Sequence, residues 1–229
     1  MGSTLSTDIV DRIRGEILKG TMLPGVRLSP DDLRTRYDVS LTPVREALMR
    51  LAAEGLVVAE DQRGFRVAPV SRENLIEVSE LRRSLECLAL RHAIERGDLE
   101  WETAIVAAQH RLAALTSRQR GDKPEINDQW EQCHRAYHMA LISSCGMPLL
   151  LNFCRTLHDM SDRYRRMFLT TTRQVDRSRE HEMIANAARE RDVERAVKLL
   201  DKHITFTETL VLDAYDAATG KTGERKKVR

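Results

Sequence analysis

Four histidines of this 229-residue chain have a spacing that could bring them to one metal ion. His134 and His138 are four residues apart in a predicted helix, so they lie on the same face, one turn apart. His181 and His203 share apolar stripes with aliphatic residues of two later predicted helices, so they also point inward. An unpaired buried imidazole costs about 1 to 3 kcal/mol, and a divalent ion would give all four a common partner. Histidine ligands indicate zinc first, with nickel or another transition metal as the alternative.

The competing interpretation of these side chains is structural. A single buried histidine usually forms a hydrogen bond with a nearby backbone carbonyl, and only the coincidence of four favours a shared ion. The remaining histidines, His92, His110 and His158, show no such arrangement and are expected to be ordinary side chains, although His92 and His158 could line the same cavity.

Four neutral imidazoles leave the double positive charge of an ion intact, which favours an anionic effector beside it. Arg82 lies on a mostly buried helical stripe, where a cation needs a counter-ion. Glu86, one turn later, could pair with Arg82 within the helix. The alternative is a small carboxylate that bridges the ion and Arg82 through a bidentate contact. Tyr137 and Arg163 are further candidates for polar contacts with that effector.

Residues 71–217, which carry these side chains, are predicted to be helical almost throughout. Breaks rich in glycine, proline and aspartate divide the segment, so it predicts an antiparallel bundle of six to seven helices that binds both metal and effector. Residues 69–70 are a short linker that precedes the bundle. Residues 218–229 are polar and basic, and we expect a flexible tail there.

The amino-terminal residues 1–68 predict a separate domain. Apolar residues at helical spacing predict three helices, the second beginning after Ser29 and the third running from Ser40 to Glu54. Two short β-prone runs follow and are typical of a hairpin. Three helices and a hairpin make a winged helix-turn-helix, so the chain is predicted to be mainly α with a DNA-binding head.

This head carries the motifs PGVRLSPDDL, YDVSLTPVREALMRLAAEGLV and QRGFRV in order over residues 9–68. Together they resemble the DNA-binding domain of GntR regulators, in which the third helix enters the major groove and the wing reaches the minor groove. The resemblance implies that Arg45 contacts guanine or phosphate, that hydroxyls at the helix start bind phosphate and that the wing tip approaches the backbone. The implied set is Ser40, Thr42, Arg45, Arg50, Arg63 and Gly64.

The predicted bundle carries the motifs ELRRSLE, HRAYHMAL, REHEMIANA and DVERAVKLLDKHI in order. They resemble the FCD-type ligand-binding domain in the FadR branch of GntR regulators, over residues 71–210. Many relatives have aspartate as the first metal ligand, and His134 stands at that position here. The pattern W-x-x-x-H-x-x-[FY]-H with a following Cys-Gly resembles most closely a smaller group, that of carbon-starvation repressors that respond to glutarate.

The composition limits the other classes of function. Residues 1–70 carry ten basic and ten acidic side chains, so their charge alone does not indicate nucleic acid. No apolar run approaches the ~20 residues of a membrane span and the start lacks the apolar core of a secretion signal, so we expect a cytoplasmic protein without membrane contact. The four cysteines form no C-x-x-C pair and are expected to be reduced.

The sequence therefore predicts a metabolite-responsive transcription regulator, a repressor that a small carboxylate releases from a roughly palindromic operator. Association of the bundles would pair two heads, so a homodimer or higher homo-oligomer is expected. A metal-dependent hydrolytic enzyme is one alternative, with Glu182 beside His181 as its nominal base. The sequence argues against it, because Glu182 is off the His181 stripe and no H-E-x-x-H spacing occurs. A regulator with a purely structural metal is the other alternative.

Overall fold

The computed structural model describes residues 5–60, 63–118, 128–169 and 178–220. Within these ranges the protein is mainly α, as predicted, with nine α-helices, one short 3-10 helix and a small three-stranded sheet. The chain divides into two compact units between Ser71 and Arg72. In the described part of the chain, no helix is both long and apolar enough to cross a membrane.

The amino-terminal unit has the predicted three helices and hairpin, together with one further strand. Its elements are α1 (Leu5–Leu18), β1 (Arg27–Leu28), α2 (Pro30–Tyr37), α3 (Leu41–Ala53), β2 (Val57–Glu60) and β3 (Gly64–Val67). β3 lies between β1 and β2 and is antiparallel to both, so that Phe65 is opposite Leu28 on one side and Ala59 on the other. A strand of two residues has no readable alternation, which is why the sequence did not predict β1.

Helices α2 and α3 form the helix-turn-helix of this unit. The Ser29 hydroxyl accepts a hydrogen bond from the backbone N–H of Asp32, and Pro30 begins α2 at a position that needs no amide hydrogen. Asp38 ends α2 with a left-handed backbone (φ 54°) that turns the chain towards α3. The buried face of α3 consists of Val44, Ala47, Leu48 and Leu51. Because α3 packs on α1 and α2 through this face, its opposite face stays exposed.

The carboxy-terminal unit is a bundle of six α-helices with one 3-10 helix. Its elements are α4 (Arg72–Arg96), α5 (Leu99–Arg118), α6 (Asp128–Ile142), η1 (Ser143–Cys145), α7 (Pro148–Phe168), α8 (Ser178–Arg189) and α9 (Val193–Thr219). α4 is the central helix, since it packs against α6, α7, α8 and α9, while α5 covers α6 and α8. The shared apolar core includes Leu90, Tyr137, Ile184 and Leu200. This packing brings the inner faces of α6, α8 and α9 together.

Helix α9 ends later than predicted. It continues through Thr219, two residues into the expected tail, and Gly220 ends it with a left-handed backbone (φ 67°). Ala217 and Ala218 favour the helix, and glycine accepts the positive φ of the cap at little cost. The other residues of the predicted tail, 221–229, lie outside the described ranges.

The four cysteines are free thiols. Cys145 and Cys154 are fully buried in the core of the bundle. Burial raises the pKa of Cys154 to about 12, so this thiol stays protonated and packs as a small apolar side chain.

Candidate functional site

The four histidines predicted to share an ion converge inside the bundle. His134 and His138 lie one turn apart on α6, His181 lies near the start of α8, and His203 lies on α9. Each side chain is buried, with 4% or less of its surface exposed. One possible ligand nitrogen from each ring lies within 4.8 Å of all the others. Three helices therefore bring four candidate ligand atoms to one place.

The protonation and the free atoms of these rings suit a metal ion. Burial, with the charge of Arg165 adding to it, lowers the pKa of His134 well below its usual value, and burial also lowers the pKa of His138. The rings of His134 and His138 are thus held neutral, which is the form that binds metals. His134 Nδ1 and His138 Nε2 are buried and have no hydrogen-bond partner among the described residues. The residues present therefore fit a transition-metal ion.

Two carboxylates contact this cluster from outside, and the sequence pattern indicates neither contact. An oxygen of Glu86 lies 3.4 Å from His138 Nδ1, and an oxygen of Glu180 lies 3.0 Å from His203 Nδ1. A carboxylate at Nδ1 holds the ring in place and leaves Nε2 for a metal. Both pairs join residues that are far apart in sequence, so no local spacing could have revealed them.

Glu86 also forms an ion pair with Arg82, which is one of the two alternatives that the sequence offers for Arg82. Arg82 Nε donates to Glu86 at 2.7 Å, and Arg82 Nη1 donates to the hydroxyl of Ser161 at 2.9 Å. Burial would raise the pKa of Glu86, but Arg82 and His138 outweigh it and lower the pKa to about 2. The charge of Arg82 is therefore balanced within α4, and Glu86 connects Arg82 to His138 in one buried polar chain.

The other two candidate effector contacts are placed differently. The hydroxyl of Tyr137, which is fully buried, donates to the backbone carbonyl of His181 at 2.6 Å. Tyr137 thus ties α6 to α8 beside the cluster. Arg163 is buried on α7, where burial lowers the pKa of its guanidinium. Residues two apart on a helix face different sides, so Arg163 does not share the face on which Ser161 meets Arg82.

Trp130 supports the ring of His134. The two rings stack with centroids 4.8 Å apart and planes 14° apart, and the indole N–H donates to Thr116 at 2.9 Å. The guanidinium of Arg165 lies 5.8 Å from the centroid of the Trp130 ring. In the pattern W-x-x-x-H, Trp130 comes one helical turn before His134, and the stacking gives this tryptophan a role.

Arg165 is itself held by two buried carboxylates, those of Glu131 and Asp162. Burial raises the pKa of Glu131 to about 8, with Asp162 adding to it, although Arg165 opposes the rise. Arg165 outweighs burial at Asp162 and lowers its pKa. One proton therefore resides on Glu131 at neutral pH while Asp162 carries the negative charge.

The three remaining histidines have different environments. His92 is partly exposed and lies 3.1 Å from Glu95, and His110 is exposed on α5. His158 on α7 is fully buried, and its ring lies against those of His138 and His134. The sequence predicts an ordinary side chain for His158 and leaves open that it lines the same cavity. The structure places it beside the cluster.

The residues predicted to contact DNA belong to α3 and to the hairpin turn. The exposed ones are Ser40, Thr42, Arg45, Arg50 and Arg63. The hydroxyl of Ser40 makes no capping hydrogen bond to α3, which leaves it available, whereas Arg50 lies 3.5 Å from Glu54. Gly64 has a φ of 91°, a conformation that favours glycine, and a Cβ there would meet no atom within 4 Å. Gly64 therefore presents backbone without a side chain.

Family models match both parts of the chain. The gntR family of bacterial regulatory proteins matches residues 5–67, and the FCD domain matches residues 77–206. The uncharacterised HTH-type transcriptional regulator BphR of Paraburkholderia xenovorans is 39% identical over 87% of this chain and 82% of its own length. The HTH-type transcriptional repressor GlaR of Escherichia coli is 32% identical over 84% of this chain and 89% of its own.

Solved structures show the same fold. McbR/YncC of Escherichia coli superposes with a TM-score of 0.78 at 20% identity, covering 93% of this chain and all of the other. The domains and relatives are those of transcription regulators rather than enzymes, and Glu182, the nominal base of the hydrolytic alternative, is exposed. The chain belongs to the GntR family of bacterial regulatory proteins and is a transcription regulator with an FCD domain.

Proposed function

We propose that this regulator is metabolite-responsive, with a metal ion bound by His134, His138, His181 and His203 and a small carboxylate effector beside it. The observation that carries the proposal is the convergence of these four buried imidazoles, whose candidate ligand nitrogens all lie within 4.8 Å of one another. When bound, the ion would supply positive charge and coordination positions for an anion. Zinc is the first candidate, and nickel or another transition metal is the alternative.

The charges around the cluster support an anionic effector. Arg82 and Glu86 balance one another, since they form an ion pair in which both side chains are buried. Glu180, which pairs with His203, is 45% exposed, so its charge is partly screened by water. The charge left for a ligand is then mainly that of the ion. We therefore expect the ion, rather than Arg82, to make the main contact with the carboxylate, with Arg82, Tyr137 and Arg163 as the proposed surrounding residues.

The amino-terminal unit supports operator binding by α3 and the hairpin turn. We assign base or phosphate contact to Arg45, phosphate contact to Ser40 and Thr42, and minor-groove approach to Arg63 and Gly64. Arg50 contributes less, because Glu54 already pairs with it. A homodimer would pair two heads on a roughly palindromic operator. Repression is supported by GlaR, whose name describes a repressor.

Effector binding and DNA binding are coupled through a difference in binding free energy. A ligand can change DNA affinity only if it binds more tightly to one arrangement of paired heads than to another. Residues 69–70 connect the two units, and we propose that the change passes through this linker.

A structural metal without effector binding is the second candidate, and the number of ligands favours it. Four protein ligands fill the tetrahedral shell that zinc adopts in structural sites. Ions that take six ligands, such as nickel, would keep two positions open for a carboxylate. The identity of the ion therefore separates the two candidates.

The test combines metal content, DNA binding and a set of small carboxylates. DNA fragments are first selected with the purified parent protein, and their affinity is measured with and without each acid. The parent should contain about one metal per chain, and one acid should change its DNA affinity at least about fivefold, a typical size for allosteric coupling. The double variant His138→Ala, His203→Ala should lose both properties, whereas His92→Ala, His110→Ala should retain them.

Two results would contradict parts of this proposal. Metal-loaded protein whose DNA affinity responds to no acid would favour the structural metal. Metal-free parent protein, with a double variant of equal stability, would make the four histidines packing residues and leave only the DNA-binding part.

A further inference from the structure

His158 is a fifth histidine beside the cluster, and its polar atoms are unused. Its side chain is fully buried on α7, and neither ring nitrogen has a hydrogen-bond partner among the described residues. Buried polar groups in folded proteins nearly always have a partner, because losing water without replacing it is unfavourable. Two unsatisfied nitrogens on one ring therefore indicate a position that a ligand completes.

The ring of His158 borders the four histidines without joining them. Its centroid lies 5.3 Å from that of His138 and 5.8 Å from that of His134. Centroid separations among the four candidate ligands are similar, from 4.6 Å for His134 and His138 to 6.3 Å for His134 and His203. The group whose ligand atoms all lie within 4.8 Å of one another nevertheless leaves His158 out. A group bound beside the four histidines on this side would lie next to His158.

His158 offers a hydrogen-bond donor in polar surroundings. Ser161, three residues later on the same face of α7, accepts a hydrogen bond from Arg82. A neutral imidazole has one N–H donor and one acceptor. Such a donor suits a carboxylate oxygen, which accepts only.

We propose that His158 is a specificity-determining residue of the effector site, whose N–H donates to an oxygen of a carboxylate bound beside His134 and His138. This inference depends on the proposed function, because it takes the metal-bound carboxylate as given. His158 would favour a carboxylate over an anion that contacts the metal alone. His158 is not one of the ligands of the ion, so its loss leaves metal binding intact.

The experiment uses the full chain loaded with Ni²⁺ and compares three probes, acetate, succinate and azide, by isothermal titration calorimetry. Azide serves as the control anion, since it binds metals without offering a carboxylate oxygen. His158→Phe keeps a ring of similar shape but has no polar atom. Its Kd for acetate and succinate should rise about tenfold or more, which is the loss of one charged hydrogen bond, while its Ni²⁺ content and azide affinity stay within twofold.

Two smaller polar variants keep the test valid if His158→Phe does not fold. His158→Asn and His158→Gln place an amide N–H near the positions of Nδ1 and Nε2 respectively, and one of them should restore part of the carboxylate affinity. Loss of Ni²⁺ in these variants, to the level of His138→Ala, would make His158 a metal ligand and overturn the assignment. Unchanged carboxylate affinity in all variants would make it a packing residue.

The measurement also separates this inference from the function on which it depends. A parent protein that takes up no Ni²⁺ would overturn the proposed metal site and the role of His158 together. A parent that takes up Ni²⁺ and binds acetate, with His158→Phe binding it equally well, would overturn only the role of His158.

Discussion

The Nδ1 atom of His138 lies 3.4 Å from a carboxylate oxygen of Glu86, and both side chains are only 1% exposed. Glu86 is on α4 and His138 is on α6, so the contact joins a candidate ligand to a neighbouring helix. Carboxylates in this position orient an imidazole and strengthen it as a metal ligand. Because Glu86 also carries the ion pair with Arg82, one side chain serves both the packing of α4 and the cluster.

Glu86→Gln should weaken metal binding about 10- to 100-fold, the usual effect of losing such a carboxylate. The amide has no charge to hold His138, and it leaves Arg82 buried without its counter-ion. Metal affinity is measured by competition with a coloured chelator. Glu95→Gln, which alters the partly exposed pair with His92, is the matched control and should bind metal like the parent. Equal affinity in both variants would show that Glu86 does not support the ligand.

Tyr137→Phe should lower the free energy of unfolding by about 1 kcal/mol, because the hydroxyl donates to the carbonyl of His181. Tyr164→Phe is the control, since it removes a similar hydrogen bond to Asn74 in the same unit. Both variants should lose stability in urea denaturation, but only Tyr137→Phe should weaken metal binding, since it frees the segment that carries His181. Lost carboxylate binding with unchanged stability would instead make the phenol an effector contact.

Local spacing accounts for the parts of the site that the sequence could predict. His134 and His138 share a face because they are four residues apart, and the inward positions of His181 and His203 follow from the apolar stripes of their helices. The helices of both units follow from the same periodicity. Strand β1 is too short to leave a pattern.

Contacts between helices account for what the sequence could not predict. The partners Glu180 and His203 are 23 residues apart, and nothing in the spacing of α8 or α9 relates them. His158 lies on a stripe of α7 that is buried but polar, and such a stripe gives no apolar signal of burial. A pairing of this kind becomes visible only when the packing of the bundle is known.

The proton on Glu131 should make the stability of the bundle depend on pH. The carboxyl of Glu131 has a pKa of about 8 in the folded protein and an ordinary value of 4.5, so the folded state keeps its proton over that range. The resulting stability is complete below pH 4.5 and is lost as the pH rises to about 8. Glutamine does not titrate, so Glu131→Gln does not lose this stability. The melting temperature of the variant minus that of the parent should therefore increase between about pH 5 and about pH 8.5.

Asp162→Asn is the contrasting variant. The pKa of Asp162 is lowered, so its contribution to stability is present above the ordinary pKa and is lost only as the pH falls. At neutral pH the variant should be much less stable than Glu131→Gln, because Arg165 and Arg166 both lose a charged partner. If the difference in melting temperature between Glu131→Gln and the parent does not change with pH, the proton does not reside on Glu131.

Arg45→Ala should lower the affinity of the full chain for its selected DNA about tenfold, because Arg45 is exposed on α3 in the position expected to enter the major groove. Fluorescence anisotropy at several salt concentrations identifies the kind of contact. A phosphate contact predicts an equal loss on every sequence and a salt slope smaller by about one, whereas a guanine contact predicts a loss confined to the selected sequence. Arg111→Ala, an exposed arginine on α5 of the bundle, should bind like the parent. If Arg45→Ala also binds like the parent on both kinds of DNA, α3 does not read the operator through this residue.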